Sequence, residues 1–542
     1  MSRIVFALPD VLMVDRRQFL KLALLAAAPA AWRSGAALAQ PKTGTDPFTL
    51  GVASGPGAAG GVALWTRLAS HIQADIERIS NLSTELYVSA REKAPPPAPA
   101  IDVRWEIAED ESFRTIVRRG TAVALPELAH SVHVEVDGLA TGRWHYYRFL
   151  AGDAASPVGR TRVFGNGGAT PARFRFGVAS CQHYEWGHFG AYAHLRADDP
   201  DAVLFAGDYI YEGGPRERRF RTHPFPSARS LFDYRMRHAL YKLDPDLQRL
   251  HAHCPWLLTW DDHEVSNDYA GDIGEDPAVE GAARRAAAYQ AYYEHMPLPA
   301  ATLVQRFSHV RIYRRVNFGA LAAVTLLDDR QYRDRQACQP AGRGGSSVID
   351  DEACAARRDP ARTLLGAEQM AWLARTHEQG NARWNLIAQQ SLFSQLLRDP
   401  VKRRFWSDGW DGYPAERARV LAALARANVR NPVIFGGDVH STWVCDVKSD
   451  FDDGKSPTVA TEFCGTSVTS PASASEGQFA RAQAINGHVR FVDGARRGYL
   501  LAELTPQMLS VKLRAIDDAT KRAPAISTVA AWTVADGKPG AI

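Results

Sequence analysis

The sequence predicts a two-part chain, an all-β sandwich of immunoglobulin or fibronectin type followed by a layered α/β domain. Two textures carry this. Between Phe48 and Val163, short apolar segments recur at intervals of roughly 8 to 20 residues, separated by turn-rich stretches and lacking a helical period. Beyond residue 170, short continuous apolar runs typical of strands buried on both faces alternate with helical stretches. The expected division is 1–39 as an export signal, 46–165 as the sandwich, 172–515 as the α/β domain and 516–542 as a C-terminal tail.

Composition sets the outer limits. With 46% apolar and 23% charged residues in 542, the chain is ordinary globular protein, not a disordered, collagen-like or disulfide-scaffold one. The net charge is +4, of which residues 1–39 carry +3, so no nucleic-acid partner is held by bulk charge. No run supplies the roughly 18 apolar residues of a stable spanning helix.

The first element is an address. Asp15-Arg16-Arg17-Gln18-Phe19-Leu20-Lys21 precedes a short apolar stretch from Leu22 to Ala31, and Ala37-Leu38-Ala39 offers a small-x-small cleavage site. This reads as a twin-arginine signal, with the twin-arginine translocase as partner during export, removal through Ala39, and a periplasmic or secreted product. An anchoring helix fits less well, because the apolar stretch is short and Pro29 interrupts it.

In the sandwich, strands are expected at Val62 to Thr66, Leu82 to Val88, Val103 to Ile107, Val117 to Val123, Val132 to Val136 and Trp144 to Leu150, with a linker at Asn166 to Pro171. Gly55-Pro56-Gly57-Ala58-Ala59-Gly60 fits a dinucleotide-binding pattern but leads into a strand where that motif must open a helix. Signatures of P-loop NTPases, nucleophile-elbow hydrolases and zincins are missing.

In the α/β part, strands are expected at Phe174 to Val178, Ala202 to Ala206, Trp256 to Thr259, Leu321 to Leu327, Leu386 to Ala388 and Pro432 to Phe435. Helices are expected within Glu280 to Glu294, Ala367 to Thr376 and Ala415 to Ala425. Ligands in such folds gather beyond the carboxyl ends of the strands. Four of these ends read Ser180-Cys181-Gln182-His183, Gly207-Asp208-Tyr209-Ile210-Tyr211-Glu212, Asp261-Asp262-His263-Glu264-Val265-Ser266-Asn267-Asp268 and Gly437-Asp438-Val439-His440. One acidic loop is a solvated turn in most proteins; four metal-competent strand ends in one chain are a site.

The donor types say more. Thiolate and phenolate suit, with Asp and His, a transition ion such as iron or zinc, whereas carboxylate and amide oxygens suit calcium, magnesium or manganese. A mixed cluster is implied, with Asp208 the natural bridging carboxylate. Such a cluster activates a water as nucleophile and clamps phosphoryl oxygens, which is what hydrolysis of a phosphate ester requires.

These motifs resemble the alkaline phosphatase D (PhoD) family over roughly residues 174 to 510. Phe48-Thr49-Leu50-Gly51-Val52-Ala53-Ser54-Gly55 and Val62-Ala63-Leu64-Trp65-Thr66-Arg67 are similar to that family's N-terminal domain, and Asp329-Arg330-Gln331-Tyr332-Arg333 and Arg497-Gly498-Tyr499 also look family-like. The resemblance implies a metallophosphoesterase-like catalytic domain and an exported phosphoesterase using ferric iron with calcium, the calcium number being about two. Carried over, Cys181, Asp208, Tyr211 and His440 look like the iron set, Asp208 bridges, and Asp438 looks like a calcium ligand. Asp262 and Asn267 compete for a further place. His263 matches a histidine that binds phosphate or assists the leaving group.

The remaining features have plainer readings. His251, His253 and Cys254 stand at the wrong end of their strand for the site and are read as packing. Trp406, Trp410 and Tyr413 are read as loop packing and Arg403-Arg404 as a solvated pair; Cys338 and Cys354 are expected to close a loop by a disulfide. A phosphodiesterase or phospholipase acting on lipid or nucleotide diesters is the nearest alternative, and a non-catalytic envelope-binding protein a remote one. A monomer is expected.

Overall fold

The computed structural model describes residues 45–542 apart from 59, 84–85, 88–98, 166–170, 218, 276–280 and 381. The signal expected over 1–39 and all of the linker but Pro171 lie outside the described residues.

Strands β1 (Val52–Pro56) and β2 (Val62–Arg67) form an antiparallel hairpin, so the glycine-rich stretch between them is a turn and opens no helix. A Cβ on Gly55 would come within 2.7 Å of the Pro297 carbonyl oxygen, so the close approach of the following domain requires glycine there. Helix α1 (Ile72–Ser80) follows, burying Ile72, Ile76 and Ile79 at helical spacing. Then come β3 (Ile101–Ala108), β4 (Ile116–Ala124), β5 (Ser131–Val136), β6 (Trp144–Ala151), β7 (Ala154–Ala155) and β8 (Gly159–Arg162). A β1-β2-β5 sheet faces a β4-β3-β6-β7 sheet, with β8 paired to β6. Val62, Leu64 and Val134 meet Val103, Ile107, Tyr147 and Phe149 in the core between them. Within the strand expected at Leu82 to Val88, the described residues Leu86 and Tyr87 are helical. Tyr87 joins the core beneath the helices of the α/β domain.

The α/β domain begins with three parallel neighbours, β9 (Phe174–Ala179), β10 (Ala202–Ala206) and β11 (Trp256–Thr259), connected through α2 (Ala191–Ala197), α3 (Leu231–Lys242) and α4 (Pro245–His253). After α5 (Ala282–His295) come β12 (Arg314–Phe318), β13 (Ala322–Leu326), β14 (Val348–Asp350), α6 (Gly366–Gln379), β15 (Trp384–Ala388) and β16 (Arg404–Trp406). Next are α7 (Pro414–Arg426), β17 (Pro432–Gly436), β18 (Thr442–Lys448), β19 (Thr458–Cys464), α8 (Glu476–Ile485) and β20 (Val489–Asp493). The chain then returns through β21 (Arg497–Leu504), β22 (Met508–Ile516) and β23 (Ile526–Ala535).

Two sheets result, ordered β11-β10-β9-β21-β22-β23 and β12-β13-β15-β17-β19-β18-β20. They face each other through Phe176, Val178, Leu204, Leu257, Leu386, Val433 and Phe435. The outer faces carry helices: Val203 and Phe205 pack with α2 to α5, while Ile387 and Ile434 pack with α6 and α7. Burial on both faces is why these strands read as unbroken apolar runs.

The chain beyond 515 is not a tail. β23 pairs with β22 along its whole length and forms the edge of the first sheet. Of Ile526–Ala535 only Val534 is buried, as befits an edge strand.

The plainer readings hold except for Trp406, which ends strand β16 and is exposed. The His251 ring stacks 3.9 Å from Trp256, His253 meets Arg160 and Asp199, and Trp410 and Tyr413 are buried. Arg403 pairs with Asp452 and Arg404 with Asp350. Cys338 and Cys354 form a disulfide. No helix among the described residues is long and apolar enough to cross a membrane.

Candidate metal centre

Parallel pairing of β9, β10 and β11 sets three of the functional strand ends side by side, and β17 brings the fourth from the opposite sheet. The two sheets meet tightly there: a Cβ on Gly437 would stand 2.5 Å from Ser180 Oγ. Within the first sheet, Gly207 has φ +98°, and a Cβ would fall 2.4 Å from Asp261 Cβ. The residues that follow turn sharply. Cys181, Asp208, Asp438 and His440 all have positive φ, from 52° to 64°, a left-handed conformation that costs a non-glycine residue energy and clusters where function requires it.

These turns gather three groups of donors, the atoms of each lying within 4.8 Å of one another: Cys181, Asp208 and His440; Asp208, Asp262 and His263; Asp261, Asp262 and Asp438. Asp208 belongs to the first two and Asp262 to the last two, so the groups form a continuous chain. Tyr211 closes the first group. Its hydroxyl donates to Asp208 Oδ2 at 2.7 Å and lies 3.1 Å from His440 Nε2 and 2.7 Å from Ser470 Oγ. His440 Nδ1 lies 3.0 Å from the Pro471 carbonyl. Because a carbonyl only accepts, Nδ1 holds the proton and Nε2 presents its lone pair to the group.

The residues fit cations. Asp208 Oδ1 and Asp261 Oδ2 are buried with no hydrogen-bond partner in the protein, an arrangement that costs free energy unless a positive group meets them. Burial and the crowding of neighbouring carboxylates, only partly offset by Arg330, push Asp261 and Asp438 well above the ordinary carboxylate range. Burial and the Asp208 charge likewise push the Cys181 thiol and the Tyr211 phenol up. Thiolate and phenolate forms therefore require a strong Lewis acid beside them.

His263 adjoins the centre on its acidic side. Burial opposes charge on its ring, but Asp262, Glu212 and Asp208 outweigh that and raise its pKa well above the ordinary histidine value. Its Nδ1 lies 2.7 Å from Glu212 Oε2. Asp262 takes part in both acidic groups; Asn267 Nδ2 lies 3.4 Å from Glu275 Oε2, and its backbone N–H donates to Glu212.

Four participants were not singled out from sequence. Asp261 lies beside Asp262 in the same run. Glu212 holds His263. Glu264 accepts the backbone N–H groups of Asp208 and Asp261 at 3.1 and 2.8 Å, tying two strand ends together. Arg330, fully buried, meets Asp261, Asp408 and Asp262. All four stood within stretches that resemble the family, and nothing there gave their roles. Arg497, in another such stretch, donates to the His440 and Ser470 carbonyls at 2.7 and 2.8 Å and so braces the left-handed turn at His440.

The profile of the PhoD-like phosphatases matches residues 176–513, and that of their N-terminal domain matches residues 33–165. The chain belongs to the PhoD-like phosphatase family. It is 41% identical over 512 residues to alkaline phosphatase D of Bacillus subtilis (strain 168), covering 93% of this chain and 83% of that protein. A solved structure of PhoD superposes with a TM-score of 0.81 at 39% identity, covering 92% of this chain and 94% of that one. As a PhoD-like phosphatase the protein is a hydrolase of phosphate ester bonds, with an N-terminal β domain ahead of the α/β catalytic domain. The matches favour neither the diester-directed nor the non-catalytic alternative.

Proposed function

We propose that this PhoD-like phosphatase hydrolyses phosphate esters at a centre holding ferric iron and about two calcium ions. The observation that carries the reading is the sharing of Asp208 and Asp262 among three donor groups, which would let neighbouring cations share ligands. Cys181, Tyr211, His440 and Asp208 would hold the iron, a set of anionic and imidazole donors suited to a high-valent ion. Asp262, Asp438 and Asp208 offer the hard oxygens suited to calcium, with Asp261 beside them. When bound, the cations supply Lewis acidity toward phosphoryl oxygens and toward an attacking water.

The chain's own groups do the rest. Glu212 Oε2 accepts the Nδ1–H of His263, which orients the ring so that Nε2 can meet a phosphoryl or leaving-group oxygen. Burial of the acids keeps competing water out and strengthens each interaction. Activity should be lost on calcium chelation and regained when calcium is added back. Activity indifferent to chelators that strip bound calcium would overturn the calcium assignment.

Twin-arginine export to the periplasm is supported by Arg16-Arg17 and the Ala37-Leu38-Ala39 site. In cells expressing the full chain, activity confined to the cytoplasm would contradict it.

A further inference from the structure

The loop closed by the Cys338–Cys354 bond would be peripheral were it not wired to the acidic end of the centre. The two cysteines are 16 apart in sequence, with Cα atoms 6.0 Å from each other. Inside the ring they close, β14 pairs with β16, and the Gly344 N–H donates to the Glu275 carbonyl at 3.0 Å. A Cβ on Gly344 would fall 1.9 Å from the Gly274 carbonyl oxygen, so the loop lies directly on the chain that leaves the β11 strand end.

Ser346 is the point of contact. Its backbone N–H donates to Asp268 Oδ2 at 3.0 Å, and its hydroxyl donates to the same oxygen. Asp268 has φ +54°, a left-handed conformation that needs support in a non-glycine residue. In that conformation its own N–H donates to Asp262 Oδ2 at 2.7 Å. A second brace comes from Gln336, two residues before the disulfide, whose amide donates to the Asp268 carbonyl at 2.8 Å and to Asp408 at 2.9 Å. Asp408 in turn meets Arg330, which reaches Asp262.

We propose that Ser346, presented by the disulfide-closed loop, is a positioning residue for Asp262, acting through Asp268. The proposal rests on the reading of Asp262 as a cation ligand. One carboxylate oxygen of Asp262 is held by the Asp268 N–H, which fixes the direction of the other. Ser346 contacts neither substrate nor cation; it keeps Asp268 in the conformation that holds Asp262.

The test is calcium binding by the folded full-length enzyme, titrated after chelation and read by calorimetry, with kcat and KM measured alongside. Wild type, Ser346→Ala, Ser346→Thr and the double variant Cys338→Ser with Cys354→Ser are compared. Ser346→Ala should weaken calcium binding about tenfold, the lower end of what loss of a group bracing a ligand costs. Saturating calcium should restore most of kcat with KM little changed, and Ser346→Thr, which keeps the hydroxyl, should bind as wild type does. The double variant should weaken binding in the same direction. If wild type binds calcium and Ser346→Ala binds it equally tightly, the positioning role is overturned and the calcium reading stands. If wild type binds no calcium, both fall.

Discussion

Tyr211 shows how much a single residue's role depends on what surrounds it. A tyrosine three positions past Asp208 could be a packed aromatic, yet its hydroxyl lies within hydrogen-bonding distance of Asp208, His440 and Ser470. With a phenol pKa near 10 in water, and burial pushing it higher, only a strongly Lewis-acidic ion holds the phenolate. Phenolate or thiolate donation to ferric iron gives visible absorbance. Tyr211→Phe should shift or bleach that absorbance, release iron and reduce activity at least about tenfold, equivalent to roughly 1.4 kcal/mol of transition-state stabilisation. Unchanged iron, spectrum and rate would reduce Tyr211 to packing. The donors legible in sequence were those that follow an apolar run directly, because strand ends announce themselves. Arg330 was not legible in its role: Asp261 is 69 residues away along the chain, and only the fold brings them together. Glu264 was hidden differently, since a carboxylate that binds backbone N–H groups looks the same in sequence as one that binds a cation.

Among the elements, the strands that lead into the site were the most readable, because they are buried on both faces. β9, β10, β11 and β17 are unbroken apolar runs. β22 alternates, and β23, of which only Val534 is buried, reads as a tail in the sequence. Helix α1 escaped because Ile72, Ile76 and Ile79 are a sparse apolar stripe within a strand-rich stretch. The junction between β9 and β17 is where element packing reaches the chemistry. Gly437→Ala would set its Cβ 2.5 Å from Ser180 Oγ and push the Asp438 turn away from Cys181. Displacements on the order of 1 Å at a reacting centre cost about 100-fold. The variant should therefore lose at least about tenfold in kcat, and adding Ser180→Gly should recover part of it. Full activity in Gly437→Ala would show that the two sheets can part without disturbing the site.

At the scale of the whole molecule, the N-terminal domain is packed into the catalytic one. Trp65 donates to the Glu294 carbonyl at 2.9 Å, and the buried Lys242 ammonium sits 4.2 Å from the Trp65 ring. Burial lowers the Lys242 pKa from 10.5 to about 7. Between these values the unfolded chain binds a proton that the folded one does not, so this residue makes stability rise with pH from about 7 toward 10.5. Lys242→Met should remove that slope: thermal melts of wild type should gain on the variant's between pH 7 and 9. Parallel melting curves would mean that Lys242 stays charged where it is buried. The two-domain architecture was legible as a change of texture near residue 170, whereas the interlocking of the domains was not, because contacts such as that of Trp65 with Glu294 join residues 229 positions apart.

The most direct test of the central claim, a mixed-cation centre strung along Asp208 and Asp262, is elemental analysis of enzyme purified from the exported fraction, combined with its visible spectrum. Coloured protein with about one iron and about two calcium ions per chain is the expected result. Colourless, iron-free protein with full phosphatase activity would contradict it.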